Sequence, residues 1–254
     1  MKLVKILSII FVLFSSAASA KYPNRHTQNS NSTQTLHFAA KLEKRVELFN
    51  TSGRTLVATV LDLAYENELP TGIEYIDDEA ATKPINIELR NESVRGIIEA
   101  IIQQAPEYRV SFSDGLVDIY APKAREDPSN LLNKVIKNFT VTEMDTHRAD
   151  MELFCALSRE VAPGGACGGS IAAGQWGPLK ITLHLQNATI YEIVNAIIAK
   201  NGKAVWTVIA PAGNLSKIPV GGLWHIYPLE PPFKDAILLK LTSIAGETAG
   251  VTKE

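Results

Sequence analysis

Ile85-Asn86-Ile87-Glu88-Leu89 opens the stretch whose reading decides the fold, INIELRNESVRGIIEAIIQQAPEYRVSFSDGLVDIYAP, residues 85–122. Its first five residues alternate strictly, with Ile85, Ile87 and Leu89 on one face, as a half-buried strand does. After Asn91, Ser93 stands where a helix N-cap belongs. Val94, Ile97, Ile98 and Ile101 then form one apolar stripe at helical spacing, and Pro106 ends it. Residues 108–112, the turn Asp114-Gly115 and residues 116–120 read as a β-hairpin.

The same order returns downstream in LKITLHLQNATIYEIVNAIIAKNGKAVWTV, residues 179–208. A shift of 96 carries Ile85 onto Ile181, Asn91 onto Asn187, Ser93 onto Thr189 and Ala100-Ile101-Ile102 onto Ala196-Ile197-Ile198. Thr189 with Glu192 makes a capping box. A second hairpin is expected from 204–209 and 223–227, with a longer loop through Pro211-Ala212-Gly213. The chain therefore reads as a duplication.

Working outward, residues 45–49 read as a strand ended by Asn50-Thr51-Ser52-Gly53. Residues 55–68 read as a helix carrying Leu56, Val60, Leu63 and Ala64, and 73–76 as a short strand. In the second copy 135–141 is the matching strand. The matching helix is 150–161, with Met151, Phe154, Leu157 and Val161 inward, and 170–173 is a weak second strand. The expected class is α+β: two tandem βαββαββ modules, over 38–122 and 130–232, each with two helices packed between small sheets. A polar linker, 123–129, joins them, with Pro122 and Pro128 as breaks. Residues 21–37 lack periodicity and read as a disordered lead-in, and 233–254 as a tail.

The first twenty residues read as an export signal. Lys2 and Lys5 precede an apolar run, 7–14, and Ala18-Ser19-Ala20 is a small-x-small cleavage site. That run is shorter than the roughly 20 residues a spanning helix needs. Cleavage after Ala20 leaves 23 of the 25 Lys and Arg against 27 Asp and Glu, a net charge of about −4. That balance, without a basic block, points away from nucleic acid. No membrane insertion is expected once the signal is removed, and the expected location is the periplasm or the exterior. The two cysteines, Cys155 and Cys167, then point to a disulfide across a Gly-rich loop.

The strand–helix–hairpin pattern of 85–122 and 179–208 resembles the short N-terminal domain of secretins and TonB-dependent receptors (STN). The resemblance implies a small fold of two helices between two small sheets, a periplasmic setting, protein partners, and no catalytic residues. The family carries this module ahead of a much larger pore or barrel. Here about 22 residues follow Pro232, so the family's transport or secretion role is not carried over.

Reactive constellations are sparse. His147 and Cys155 are eight residues apart and define one alternative, a secreted thiol-dependent hydrolase. Trp206 and Trp224 define another, a cell-wall glycan binder. His184 and His225 lie on expected strands without the further ligands a metal site needs. Asp77-Asp78-Glu79 lacks EF-hand spacing, and Gly164-Gly165 with Gly168-Gly169 lacks the Lys-Ser/Thr of a phosphate loop. No cofactor or metal is expected. What remains is surface: the hairpin aromatics Tyr108, Phe112, Tyr120, Trp206, Trp224 and Tyr227 are the candidate contact residues. The leading expectation is a non-enzymatic envelope protein that binds a protein partner through an exposed sheet edge or hairpin.

Overall fold

A computed structural model describes residues 32–76, 83–161, 179–210 and 225–228. The export signal, Cys167, the expected strand 170–173, Trp224 and the tail lie outside the described residues.

The chain begins with α1 (Ser32–Glu43), followed by β1 (Arg45–Thr55), α2 (Leu56–Glu66), β2 (Thr71–Ile76), β3 (Pro84–Ser93) and α3 (Val94–Gln103). The first hairpin is β4 (Arg109–Ser113) with β5 (Leu116–Tyr120). A short helix, α4 (Pro122–Arg125), and a 3-10 turn at Leu131–Asn133 lead to β6 (Val135–Asp145) and α5 (Thr146–Val161). β7 (Lys180–Thr189), α6 (Ile190–Asn201), β8 (Ala204–Ala210) and β9 (His225–Pro228) complete the described elements. The class is mixed α+β with small sheets, as expected.

The two halves share details finer than element order. β1 pairs with β3, and β6 with β7, both antiparallel. Arg45 faces Ser93 as Val135 faces Thr189, and Phe49 faces Leu89 as Phe139 faces Leu185. Each pair slips its register at the same place, between Thr51 and Arg54 and between Val141 and Met144. At the slip Gly53 and Glu143 take positive φ, +72° and +50°. Each donates its backbone N–H across the ladder, Gly53 to Asn86 Oδ1 and Glu143 to Thr182 Oγ1. Asn91 and Asn187 both sit at φ +50°, a conformation that asparagine tolerates better than most residues. Two residues on, Ser93 and Thr189 cap α3 and α6 with their side-chain oxygens.

β1 runs through Gly53 to Thr55 and does not stop at Phe49, because the bulge absorbs the turn-like residues 50–53 without ending the strand. α1 starts at Ser32, inside the expected disordered segment 21–37, because Phe38 and Leu42 bury their side chains on the first core. α5 begins at Thr146, four residues before the expected start, and its inward stripe is Ala149, Leu153, Ala156 and Leu157. Phe154 packs at the margin of that core and Met151 is only half-buried.

Five strands form the central sheet, in the order β4-β5-β2-β8-β9. β2 runs parallel to β5 on one side and to β8 on the other. The hairpins of the two halves thus belong to one sheet. Its two faces carry different cores. Ile73, Val117, Ile119 and Val205 pack with α2 and α3 in the first cluster. Leu116, Trp206, Val208 and Ile226 pack with α5 and α6 in the second. Covered on both faces, β5 and β8 are apolar at nearly every position, LVDIY and AVWTVIA, as doubly buried strands are.

Candidate functional site

Two features bear on function: a charged cluster buried where the halves meet, and the strands that end the central sheet among the described residues.

The cluster starts from strand register. Gly72 lies opposite Asp118 in the parallel β2–β5 pair, so Gly72, Glu74 and Asp118 share the face toward the second core. Glu74 and Asp118 are both 2 % exposed. Arg125, at the end of α4, meets both. Its Nε donates to Glu74 Oε2 at 2.7 Å, and Nη1 and Nη2 donate to the two oxygens of Asp118 at 3.2 and 3.3 Å. The guanidinium lies between two rings, with its central carbon 4.3 Å from the centroid of Tyr120 and 4.0 Å from that of Tyr191. Tyr191 comes from α6, in the second half, and its hydroxyl donates to Asp118 Oδ2 at 2.7 Å. Asn130 donates to Glu74 Oε1 at 2.6 Å.

Burial dominates the electrostatics. It pushes the Glu74 carboxyl above its usual range, against the pull of Arg125 and Asn130. Burial and the Asp118 carboxylate push the Tyr191 hydroxyl well above the ordinary tyrosine range. Burial alone would lower Arg125, but Asp118 and Glu74 outweigh it and hold the cation. Each polar group of the cluster has a protein partner. The arrangement ties the connecting segment to β2, β5 and α6.

The expected linker is therefore not a loose tether. Residues 122–125 and 131–133 form two helical turns pinned by Arg125 and Asn130, and the Tyr191 ring of the cluster meets Trp206 edge-on with centroids 6.3 Å apart. A Cβ on Gly72 would lie 2.5 Å from the Trp206 indole, so the indole lies over β2 at that point only because residue 72 is glycine.

These contacts correct the candidate contact residues. Tyr108 and Trp206 are fully buried, one in each core, so neither offers a contact surface. Trp206 also donates its indole N–H to Asn195 Oδ1 at 2.7 Å. Its burial removes one of the two residues behind the glycan-binding alternative. Tyr120 is half-buried against Arg125. Phe112 is half-buried beneath the Arg95 guanidinium, 4.4 Å from its ring centroid. Tyr227 lies on β9, and its side chain is outside the described set. His147 and Cys155 share α5 and are both half-buried, and Cys155 is not a free thiol. Among the described residues no group of three or more His, Cys, Asp and Glu is placed to hold a metal, and no helix is long and apolar enough to cross a membrane.

The cluster went unread in the sequence, although a signal was present. Glu74 and Asp118 each interrupt a short apolar strand, GIEYI and LVDIY. A lone carboxylate in a doubly buried strand demands a partner, and Arg125 follows Asp118 by seven residues.

No family model, curated protein or solved structure matches this chain.

Proposed function

We propose that this chain is an exported protein-binding or adaptor protein of the periplasm or cell envelope, built from two copies of an STN-like module. One observation carries the reading: the two halves are themselves joined by taking a strand across a sheet edge, β2 against β8, in parallel over residues 71–76 and 205–210. A sheet with that edge chemistry binds extended backbone, and β4 and β9 end it among the described residues. The matched registers, bulges and caps of β1–β3 and β6–β7 support the reading of 38–122 and 130–232 as tandem βαββαββ copies. Cleavage after Ala20 and a Cys155–Cys167 disulfide belong to the same proposal.

The test is mild crosslinking of the exported, mature chain in the cells that make it, followed by purification and mass spectrometry. An envelope protein recovered in stoichiometric amount, and lost when the chain is denatured before crosslinking, is the expected result. Recovery of the chain alone would sink the reading.

A further inference from the structure

The two hairpins occupy the same place in the two halves. Val110 faces Ile119 in the first, and Trp206 faces Ile226 in the second. The shift of 96 that relates β3 to β7 also carries Arg109 onto Val205, Val110 onto Trp206 and Phe112 onto Val208. The packing agrees: Val110 and Phe112 lie against the first core, and Trp206 and Val208 belong to the second. Yet the two edges differ in use. The outer edge of β8 carries β2, with Thr71 opposite Val205 and Tyr75 opposite Ile209. The outer edge of β4 ends the sheet among the described residues.

We propose that the open edge of β4 binds an extended segment of a partner protein, running parallel to β4 in the register that β2 keeps on β8. This rests on the envelope-binding reading and names its site. The occupant is a lone strand and not a further module or a second copy of this chain. Val205 and Thr207, on the outward face of β8, are fully buried because the first half covers them. Their equivalents on β4 are Arg109, which is exposed, and Ser111. A module lying across them would bury the Arg109 guanidinium against apolar surface, whereas a lone strand leaves it in water. The same faces set the chemistry of the segment. Residues beside Val110 and Phe112 are apolar, residues beside Arg109 and Ser111 are polar, and a carboxylate suits the first position. Arg109 is already held at the start of the strand by Nη1 donating to the carbonyls of Pro106 and Tyr108, at 2.6 and 2.7 Å.

The experiment has two arms on the full exported chain. In the first, amide hydrogen exchange is measured with a capped peptide, Glu-Ile-Thr-Val-Thr-Ile, and with a blocked peptide of the same composition, Glu-Thr-Thr-Ile-Ile-Val. The expected result is exchange at residues 109–113 slowed at least tenfold by the alternating peptide and unchanged by the blocked one. No slowing there, or equal slowing by both, overturns the proposal. In the second arm a photo-reactive residue replaces Ser113, on β4, or Thr140, on β6; both positions are exposed. A protein adduct from position 113 and not from 140, together with the peptide result, is expected. An adduct from 140 alone overturns the β4 site and leaves the envelope-binding reading standing. No adduct from either position, with no partner recovered by general crosslinking, removes that reading and this proposal with it.

Discussion

Arg125 shows at the scale of one residue how the joint is held. Two carboxylates and two aromatic rings surround one guanidinium, a carboxamide and a tyrosine hydroxyl donate to those carboxylates, and the acids are almost wholly out of water. A buried ion cluster of this kind is weak as a source of net stability, but removing one partner strands the others. Arg125→Leu is therefore expected to lower unfolding free energy by about 3–5 kcal/mol in urea denaturation. Tyr191→Phe, which removes one hydrogen bond to a carboxylate, is expected to cost about 1.5–3 kcal/mol. Glu74 supplies the pH dependence. Its folded-state pKa is raised, so the folded chain holds the proton where the unfolded chain has lost it. This group's contribution to stability falls as pH rises from its ordinary value of about 4.5 to the raised one. Glu74→Gln is expected to flatten that part of the profile, read from urea midpoints at steps between pH 4 and 7.

The strand pair β2–β8 carries the joint at the scale of elements. Across it the Trp206 indole lies over Gly72, where a side chain would meet the ring. Gly72→Ala drives a methyl into a ring that is fully buried and hydrogen-bonded to Asn195. Overpacking of this kind costs about 1–3 kcal/mol. Here the strain also separates two strands of one sheet, so residues 205–208 should lose amide protection along with the drop in melting temperature. A mutant that melts as the wild type does would contradict the contact. Element identity itself was legible locally. The alternation of 85–89, the caps Ser93 and Thr189, and the turn Asp114-Gly115 each act within a few residues, and all appear where the sequence placed them. The start of α1 was not legible, because Phe38 and Leu42 are ordered by a core assembled from distant segments.

The shared sheet joins the two halves of the described chain into one unit. Val205, from the second half, is buried in the first core, and Leu116, from the first half, is buried in the second. Neither core is complete without the other half's strand. Calorimetry of the mature chain should give a single transition with matching calorimetric and van't Hoff enthalpies. A fragment ending at Pro122 loses β8 and the partners of Glu74 and Asp118, and it should show no cooperative melt. Two separate transitions, or an independently stable fragment, would show that the halves fold alone.

The sequence by itself determined what depends on near neighbours along the chain: hydrophobic period, turn chemistry, capping, and the repetition of all three at a fixed shift. From these the α+β class and the paired elements followed. Tertiary structure decided which edge met which. β2 and β8 are more than 120 residues apart, and strand pairing across that distance is chosen by what each face buries, not by local pattern. It also decided that Tyr108 and Trp206 fill cores instead of lining a surface, and that a polar linker with one arginine would become the centre of the joint. The physical reason is the same in each case. Burial is a property of the assembled chain, and both the worth of an aromatic ring and the cost of a charge are set by burial.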